Sequence, residues 1–288
     1  MMLPCQHEER ITTQVQPTID LLSNLDTLHP NVLREHAIDP ADYHSGLVFR
    51  SAVESIRGSF IASSTNSREG FVENVLAHLK ERNQIVDFER KRGSERFDFH
   101  AQLDRDPDYF MALEVKGGEG NSINISERPL WAKEFGVWCN LDGAIVNQPA
   151  NGARAIISRL TNEMIRRQKH VDFLLIKDIL CGTKTRPCPK YPGQETDIAL
   201  RAAPDIFLFP KNPPSLENPE PPVHTLGSLR LPVRLLDLFG VSSTSRHKHL
   251  WEVHVKLERL SGNKLCRMVT VVHQGEIVGE SRSRAWRI

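Results

Sequence analysis

The pattern of apolar and polar residues predicts a helix followed by three strands in the first half of the chain. Apolar residues recur at helical spacing over residues 71–79, after a polar cluster at 63–67 that can cap a helix, so we predict a helix over about residues 68–82. Strand-like segments bounded by turn residues follow it. These strands are predicted at residues 84–89, 96–103 and 109–116. Together they indicate an antiparallel meander whose third strand, apolar on both faces until its end, is buried.

Beyond the third strand, helical and strand-like segments alternate. The predicted elements are a helix around residues 129–135, a short strand at 143–146, a helix capped by Asn151 and an apolar strand at 171–176. A strand, a helix and a strand of these lengths imply a right-handed crossover and a parallel pair of strands. The sequence therefore predicts an α/β protein with a mixed β-sheet and helices on its faces.

The two ends of the chain are patterned differently from this middle part. The first sixty residues are irregular and then helical, with an apolar stripe over residues 47–56. The segment 181–225 is rich in proline and must be extended or turning, apart from a strand at 205–209. Near the C-terminus, residues 250–257 and 265–272 are predicted to pair as a hairpin across a turn that contains glycine.

Composition narrows the class of protein. With 288 residues, 39% of them hydrophobic, the chain is long enough to bury a sizeable core. We expect no membrane segment and a cytoplasmic location, because no stretch approaches the roughly 18 apolar residues of a membrane helix and the first ten residues lack the order of a signal peptide. The five cysteines are scattered, and the closest pair, Cys181 and Cys188, lacks zinc-site spacing, so neither a zinc site nor a disulfide framework is expected.

Charge is distributed unevenly along the chain. The formal net charge is +1, but residues 222–288 carry 11 basic and 5 acidic residues. A basic end on a nearly neutral chain fits a protein that holds nucleic-acid phosphates with part of its surface. The alternative is that these residues form a solvated strand face.

Candidate chemistry lies at the end of the third predicted strand. Side chains alternate along a strand, so Glu114 and Lys116 share one face. On the preceding strand, Asp98 lies between Phe97 and Phe99, whose rings are expected to face the core, so Asp98 points the other way. If the two strands pair, Asp98 lies beside Glu114. Two neighbouring carboxylates repel unless a cation lies between them, and oxygen ligands suit Mg²⁺.

A structural alternative exists for these three residues, namely a surface salt bridge at the end of a strand. The Glu-x-Lys spacing also occurs a second time in the chain, at Glu89 and Lys91. No aspartate lies in the ten to twenty residues before Glu89 and a basic turn follows Lys91, so we interpret that second occurrence as a solvated strand end.

The arrangement resembles the PD-(D/E)-x-K nucleases, the restriction-endonuclease-like superfamily, over about residues 68–177. Asp98 matches the first acid of the motif, Glu114 the second and Lys116 the lysine, whereas Phe97 stands where proline is usual. The resemblance implies a restriction-endonuclease-like fold, Mg²⁺ with Mn²⁺ as a possible substitute, and cleavage of phosphodiester bonds. In this family a glutamate of the preceding helix often joins the metal site. Both Glu69 and Glu73 can take that role, and Glu73 is favoured because it lies deeper in the apolar repeat.

Further residues are candidates for contact with DNA. His100 shares a face with Asp98, and the glycine-rich loop after Lys116 can bring backbone amides close to a phosphate or can be a flexible turn. Trp131 and Trp138 are expected in the core, with stacking on a base as the alternative. The candidate DNA-binding residues are Asn121, Ser122, Arg246, Lys248, Arg282 and Arg284, together with His249, Arg287 and the helix residues Arg154, Arg159, Arg166 and Arg167.

These expectations define three regions and one function. Residues 1–62 form an N-terminal helical extension, 63–210 the catalytic core, and 211–288 a basic β-rich region that recognises DNA or completes the core. The expected function is that of a type II restriction endonuclease, a homodimer that cuts double-stranded DNA at a specific sequence with Mg²⁺. The alternatives are a repair or junction-resolving nuclease and a DNA-binding protein without catalysis.

Overall fold

The computed structural model describes residues 9–23, 32–45, 48, 65–91, 97–117, 123–142, 149–179 and 203–287. Its helices are α1 (Glu9–Ser23), α2 (Val32–Glu35), α3 (Pro40–His44), α4 (Thr65–Glu81), α5 (Pro149–Arg167) and α6 (Leu231–Leu238), with short 3₁₀ turns at Leu226–Ser228 and Ser243–His249. Its strands are β1 (Asp87–Arg90), β2 (Phe99–Arg105), β3 (Asp108–Gly117), β4 (Ala132–Asp142), β5 (Phe173–Ile179), β6 (Asp205–Leu208), β7 (Leu250–Leu260), β8 (Lys264–His273), β9 (Glu276–Arg282) and β10 (Trp286–Arg287).

The strands form one mixed sheet of ten, in the order β1-β2-β3-β4-β5-β6-β7-β8-β10, with β9 also paired to β8. Strands β1, β2 and β3 make the predicted antiparallel meander. Strands β3, β4 and β5 run parallel, and α5 connects β4 to β5. The predicted α/β class with a mixed sheet is therefore confirmed. Because β6 pairs with β7, strands from the predicted core and from the C-terminal region belong to the same sheet.

Most of the predicted elements are present with shifted ends. The helix after residue 64, the strands at β5 and β6, and the C-terminal hairpin of β7 and β8 are confirmed. The helix after β4 begins at Pro149 rather than at an Asn151 cap, because proline suits the first turn of a helix. The apolar stripe at residues 47–56 and the strand at 143–146 lie outside the described residues, Val48 excepted.

One predicted helix is wrong. Residues 129–135 were expected to be helical, but β4 begins at Ala132. This strand is hydrogen-bonded on both sides, to β3 and to β5, and its side chains are buried on both faces from Glu134 to Cys139. Gly136 allows β4 and β5 to pack closely. A Cβ atom there would lie 2.1 Å from the ring of Phe173 on β5, so the neighbouring strand packs closely only against glycine.

Two hydrophobic layers cover the two faces of the sheet. On one face, α4 and α6 pack against β2, β3 and β5 through residues such as Leu76, Phe99 and Leu235. On the other face, α5 packs against β4, β5 and β7 through residues such as Ile156 and Val253. Burial of these apolar side chains is the main contribution to the stability of the fold. The end of β3 emerges between these layers and carries the candidate residues.

Two smaller sequence expectations concern membranes and cysteines. Among the helices in the described ranges, none is both long enough and apolar enough to cross a bilayer. Cys139 and Cys266 are buried and form no disulfide among the described residues. Cys181 and Cys188 lie outside the described residues.

Candidate acidic site at the end of strand β3

The pairing of β2 with β3 brings the two predicted acids together. Phe99 lies opposite Leu113 in the antiparallel register, which places Asp98 opposite Glu114. The backbone N–H of Asp98 donates to the carbonyl of Leu113 at 3.1 Å. The Asp98 carboxylate in turn accepts a hydrogen bond from the backbone N–H of Val115 at 2.7 Å. The backbone N–H and the side-chain carboxylate of Asp98 are thus both hydrogen-bonded to β3, beside Glu114.

The Glu114 carboxylate is buried, with only 2% of the residue exposed. Its Oε1 atom accepts a hydrogen bond from the backbone N–H of Ser126 at 2.8 Å. Its Oε2 atom lies 3.5 Å from Nζ of Lys116 and accepts no hydrogen bond from the part of the chain that the structure describes. A buried carboxylate oxygen without a hydrogen-bond donor is unfavourable, because burial removes its hydrogen bonds to water and no donor of the protein replaces them.

The pKa values of both acids are raised by their surroundings. Burial raises the pKa of Glu114, although the charge of Lys116 and the hydrogen bond from Ser126 lower it, and the charge of Asp98 raises it further. Burial also raises the pKa of Asp98, and the charge of Glu69 adds to that rise against the opposing effects of Val115 N–H and Lys116. Each ionised carboxylate is therefore destabilised where it lies, and a cation near them would relieve this.

The helix before the meander supplies acids as expected, but both bind Arg90. Nη1 of Arg90 lies 3.0 Å from Oε2 of Glu73, and Nη2 of Arg90 is hydrogen-bonded to Oε2 of Glu69. The Glu73 side chain is 44% exposed, whereas that of Glu69 is 17% exposed. Glu69 is also the acid of this helix whose charge raises the pKa of Asp98. Between the two alternatives, the geometry favours Glu69, one turn before the residue that the sequence favoured.

The donor set fits a loosely held divalent cation. The described ranges contain no cluster of three or more histidine, cysteine, aspartate or glutamate side chains that would enclose a metal. Mg²⁺ needs less, because it commonly uses one or two carboxylates and keeps water or phosphate as its other ligands. Such an ion would bind the Glu114 oxygen that accepts no hydrogen bond among the described residues, and it would offset the repulsion between Glu114 and Asp98. The loop residues Asn121 and Ser122 lie outside the described residues.

An aromatic pocket lies next to the acids, and the sequence did not predict it. Its volume is about 410 Å³, and it is lined by Lys91, Phe97, His100, Phe110 and Trp131. The Trp131 ring makes edge contacts with Phe97, His100 and Phe110, at centroid distances of 5.4, 5.7 and 6.2 Å. The sequence signal for it was weak, since these rings come from separate segments of the chain.

Two expectations about aromatic residues are wrong at this pocket. Trp138 is fully buried as predicted, but Trp131 is 43% exposed and is not a core residue. Phe97 and Phe99 do not face the same core. Phe99 packs in the layer under α4, whereas Phe97 precedes β2 and packs against Ala112 on the opposite face. The chain is not yet a regular strand at Phe97, so simple alternation does not apply there.

The predicted DNA-binding cations do not contact the acids in the described structure. Arg246 binds Asp237, and Arg282 lies 2.8 Å from Glu258. Lys248 and Arg284 are exposed. The second Glu-x-Lys is a 3.0 Å ion pair between Lys91 and Glu89, and the Glu89 side chain is 59% exposed, as expected for a solvated strand end.

Among known proteins, neither a family model, a curated protein nor a solved structure matches this chain. Its function is therefore inferred from the geometry of Asp98, Glu114 and Lys116.

Proposed function

We propose that the chain is a Mg²⁺-dependent endonuclease that hydrolyses phosphodiester bonds of DNA, with Asp98 and Glu114 as the metal ligands of its active site. The observation that carries this proposal is the buried Oε2 atom of Glu114, which lacks a hydrogen-bond donor among the described residues and lies beside a second carboxylate from the neighbouring strand. A surface salt bridge would expose both partners, but Glu114 is 2% exposed. A buried carboxylate oxygen without a donor, beside a second and half-buried acid, is unfavourable for folding alone, which supports a role in binding.

The protein groups around the acids have separate roles in this proposal. The N–H of Ser126 fixes one oxygen of Glu114, which leaves Oε2 for a metal, and the N–H of Val115 fixes Asp98 in the same way. A bound Mg²⁺ would supply an acidified water and would polarise the phosphate. Lys116, whose Nζ lies 3.5 Å from Oε2 of Glu114, would stabilise the negative charge that develops on the phosphate oxygens.

Glu69 would be the third acid in this proposal, in preference to Glu73. Arg90 on β1 holds the Glu69 carboxylate, and the charge of Glu69 still raises the pKa of Asp98. Mn²⁺ would replace Mg²⁺, since both are hard cations that bind oxygen.

The order of elements also supports a restriction-endonuclease-like fold. A helix leads into a meander, and a parallel crossover follows the strand that carries Glu114 and Lys116. On that resemblance we propose a homodimer that cuts double-stranded DNA at a specific sequence, as a type II restriction endonuclease does. A repair or junction-resolving nuclease would use the same acids, and a binding protein would keep the fold without cleavage.

Plasmid cleavage tests the proposal. Supercoiled plasmid is incubated with the protein and Mg²⁺, and the rate of nicking is compared among the wild type, Asp98→Asn and Glu114→Gln. Each substitution removes a metal ligand, so we expect the rate to fall by more than about 100-fold, beyond the effect of losing an outer partner of a metal site. The matched control is Glu220→Gln, because Glu220 forms a 2.9 Å ion pair with Lys256 and is exposed. We expect it to cleave like the wild type.

The same gels separate the alternatives. Discrete fragments indicate recognition of a sequence, and selective cutting of branched substrates indicates a junction-resolving nuclease. Cleavage by Glu114→Gln at the wild-type rate, or cleavage by the wild type in EDTA, would overturn the assignment. Binding of DNA by the wild type without any nicking would identify a non-catalytic protein.

A further inference from the structure

The aromatic pocket and the two acids are close neighbours on the pair of strands β2 and β3. His100 follows Asp98 by two residues on β2 and is paired with Ala112, which precedes Glu114 by two residues on β3. Two residues along a strand correspond to about 7 Å. A ligand held at the acids by one phosphate therefore has its next chemical group within reach of the pocket.

The chemistry of the pocket selects a flat, apolar ligand. Three of its five lining residues are Phe97, Phe110 and Trp131, and the imidazole of His100 adds a fourth ring. Its volume of about 410 Å³ falls in the range of about 300 to 1,000 Å³ that small-ligand sites occupy. Aromatic side chains stack on nucleobases whatever their sequence, because every base has a π face.

Two lysines lie near the pocket and the acids. Lys91 lines the pocket, and its backbone N–H donates to the carbonyl of Asp98 at 2.8 Å, so the cation and the acid are on adjacent strands. Lys116 lies on the other side of the acids, beside Glu114. Lys91 is paired with Glu89 at 3.0 Å and Lys116 with Glu114 at 3.5 Å, so a strand whose phosphate lies at the acids would compete with these carboxylates for the two lysines.

An exposed leucine adds an independent observation. Leu130 precedes Trp131 and is fully exposed, at 104% of its reference area. Single apolar side chains are common on protein surfaces, but this one directly precedes Trp131, a lining residue of the pocket. Proteins that unstack DNA insert such side chains, leucine among them, between base steps.

From these observations we propose that the aromatic pocket receives an unstacked base of the strand that is cut at Asp98 and Glu114, while Leu130 takes the place of that base in the stack. The inference rests on the proposed nuclease function and makes its substrate specific: DNA in which a base beside the scissile phosphate is unpaired or easily extruded. A mismatched duplex should therefore bind better than a fully paired one, because less base pairing is lost on extrusion.

Binding in EDTA tests this separately from cleavage. The affinity of the full chain is measured by fluorescence anisotropy for a matched duplex and for the same duplex with one central mismatch. We expect the wild type to prefer the mismatched duplex. Trp131→Ala should weaken binding of the mismatched duplex by about 10-fold, the typical loss of one base stack, and Trp131→Phe should retain most of the affinity. Leu216→Ala is the matched control, because Leu216 is 46% exposed in another loop and should change nothing.

The outcomes are distinct. If Trp131→Ala binds the mismatched duplex as tightly as the wild type and is folded by circular dichroism, the inference is overturned, even if plasmid cleavage succeeds. If plasmid cleavage fails but Trp131→Ala weakens binding, the nuclease proposal falls and the pocket stands as a site for a base. If Trp131→Ala instead dissociates a dimer in sedimentation and leaves DNA affinity unchanged, the pocket is a self-association face and the inference is overturned.

Discussion

At the scale of single residues, Glu114 has an environment that opposes folding and favours a cation. Its carboxylate is buried, one oxygen has no hydrogen-bond donor among the described residues, and Asp98 repels its charge. Lys116 offsets part of this at 3.5 Å. Functional sites often hold such unfavourable groups, since selection retains them for activity rather than for stability.

Neutralising Glu114 should therefore stabilise the protein in the absence of metal. Because burial raises the pKa of Glu114 in the folded state, the native protein keeps the proton to higher pH than the unfolded chain does. Stability is then lost as pH rises from the ordinary carboxyl range through the raised folded-state value. Glu114→Gln lacks this loss, so we expect it to gain about 1 kcal/mol over the wild type at pH 7.5 in EDTA and to approach the wild type near pH 4.

Urea denaturation at both pH values measures the difference. Glu220→Gln, with its exposed ion pair, should show less than about 0.5 kcal/mol of change at either pH. A Glu114→Gln variant that is less stable than the wild type at pH 7.5 would show that Glu114 is a structural partner of Lys116 and Ser126 instead.

For single residues, the sequence predicted the pairing of the two acids but not which glutamate of α4 the geometry favours. The placement of Asp98 opposite Glu114 depends only on the pairing of two neighbouring strands, so pairing was enough to predict it. The alternation argument for the direction of Asp98 was wrong, because Phe97 and Phe99 pack on opposite faces. Glu69 and Glu73 both bind Arg90, 21 and 17 residues further along the chain, and they differ in exposure, at 17% and 44%. Helical periodicity alone could not predict that difference.

At the scale of elements, β4 determines how the sheet is assembled. It inserts in parallel between β3 and β5, and thereby holds the strand that carries Glu114 in the middle of the sheet. The sequence predicted a helix at its start because short apolar runs do not distinguish a buried strand from a buried helix. Glu134 illustrates the missing information: its carboxylate accepts hydrogen bonds from the backbone N–H groups of Arg230 and Leu231 at the start of α6, nearly a hundred residues away.

Gly136 is the point at which β4 is most sensitive to substitution. A Cβ atom there would meet the Phe173 ring at 2.1 Å, and Gly136 is buried between two strands. We expect Gly136→Val to lower the free energy of unfolding by about 1 to 3 kcal/mol through overpacking, measured by urea denaturation.

Gly70 provides the matched control on α4. It is exposed within the helix, and a Cβ atom would meet nothing within 4 Å. Gly70→Ala should stabilise the protein by about 0.5 to 1 kcal/mol, because alanine restricts the unfolded chain and favours the helix. Equal stabilities of Gly136→Val and the wild type would contradict the packing of β4 against β5.

At the scale of the whole molecule, the mixed sheet was predictable and the aromatic pocket was not. Helical and strand periods gave the meander, the helix and second strand of the crossover, and the C-terminal hairpin, each of which is local in sequence. The strand predicted at 143–146 as the start of the crossover lies outside the described residues, and β4 pairs with β5 instead. The pocket joins side chains from residues 91 to 131, and Trp131 lies in the turn that directly precedes β4. The division into three regions, the homodimer and the basic C-terminal contacts with DNA stay predictions.

If Asp98 and Glu114 together hold a divalent cation, calorimetric titration with Mg²⁺ will detect its binding without any substrate. The wild type and Glu220→Gln should give the same saturable binding isotherm. In Glu114→Gln, binding should be weakened by more than about 10-fold, because one of two carboxylate ligands is lost. Identical isotherms for the wild type and Glu114→Gln would contradict the account.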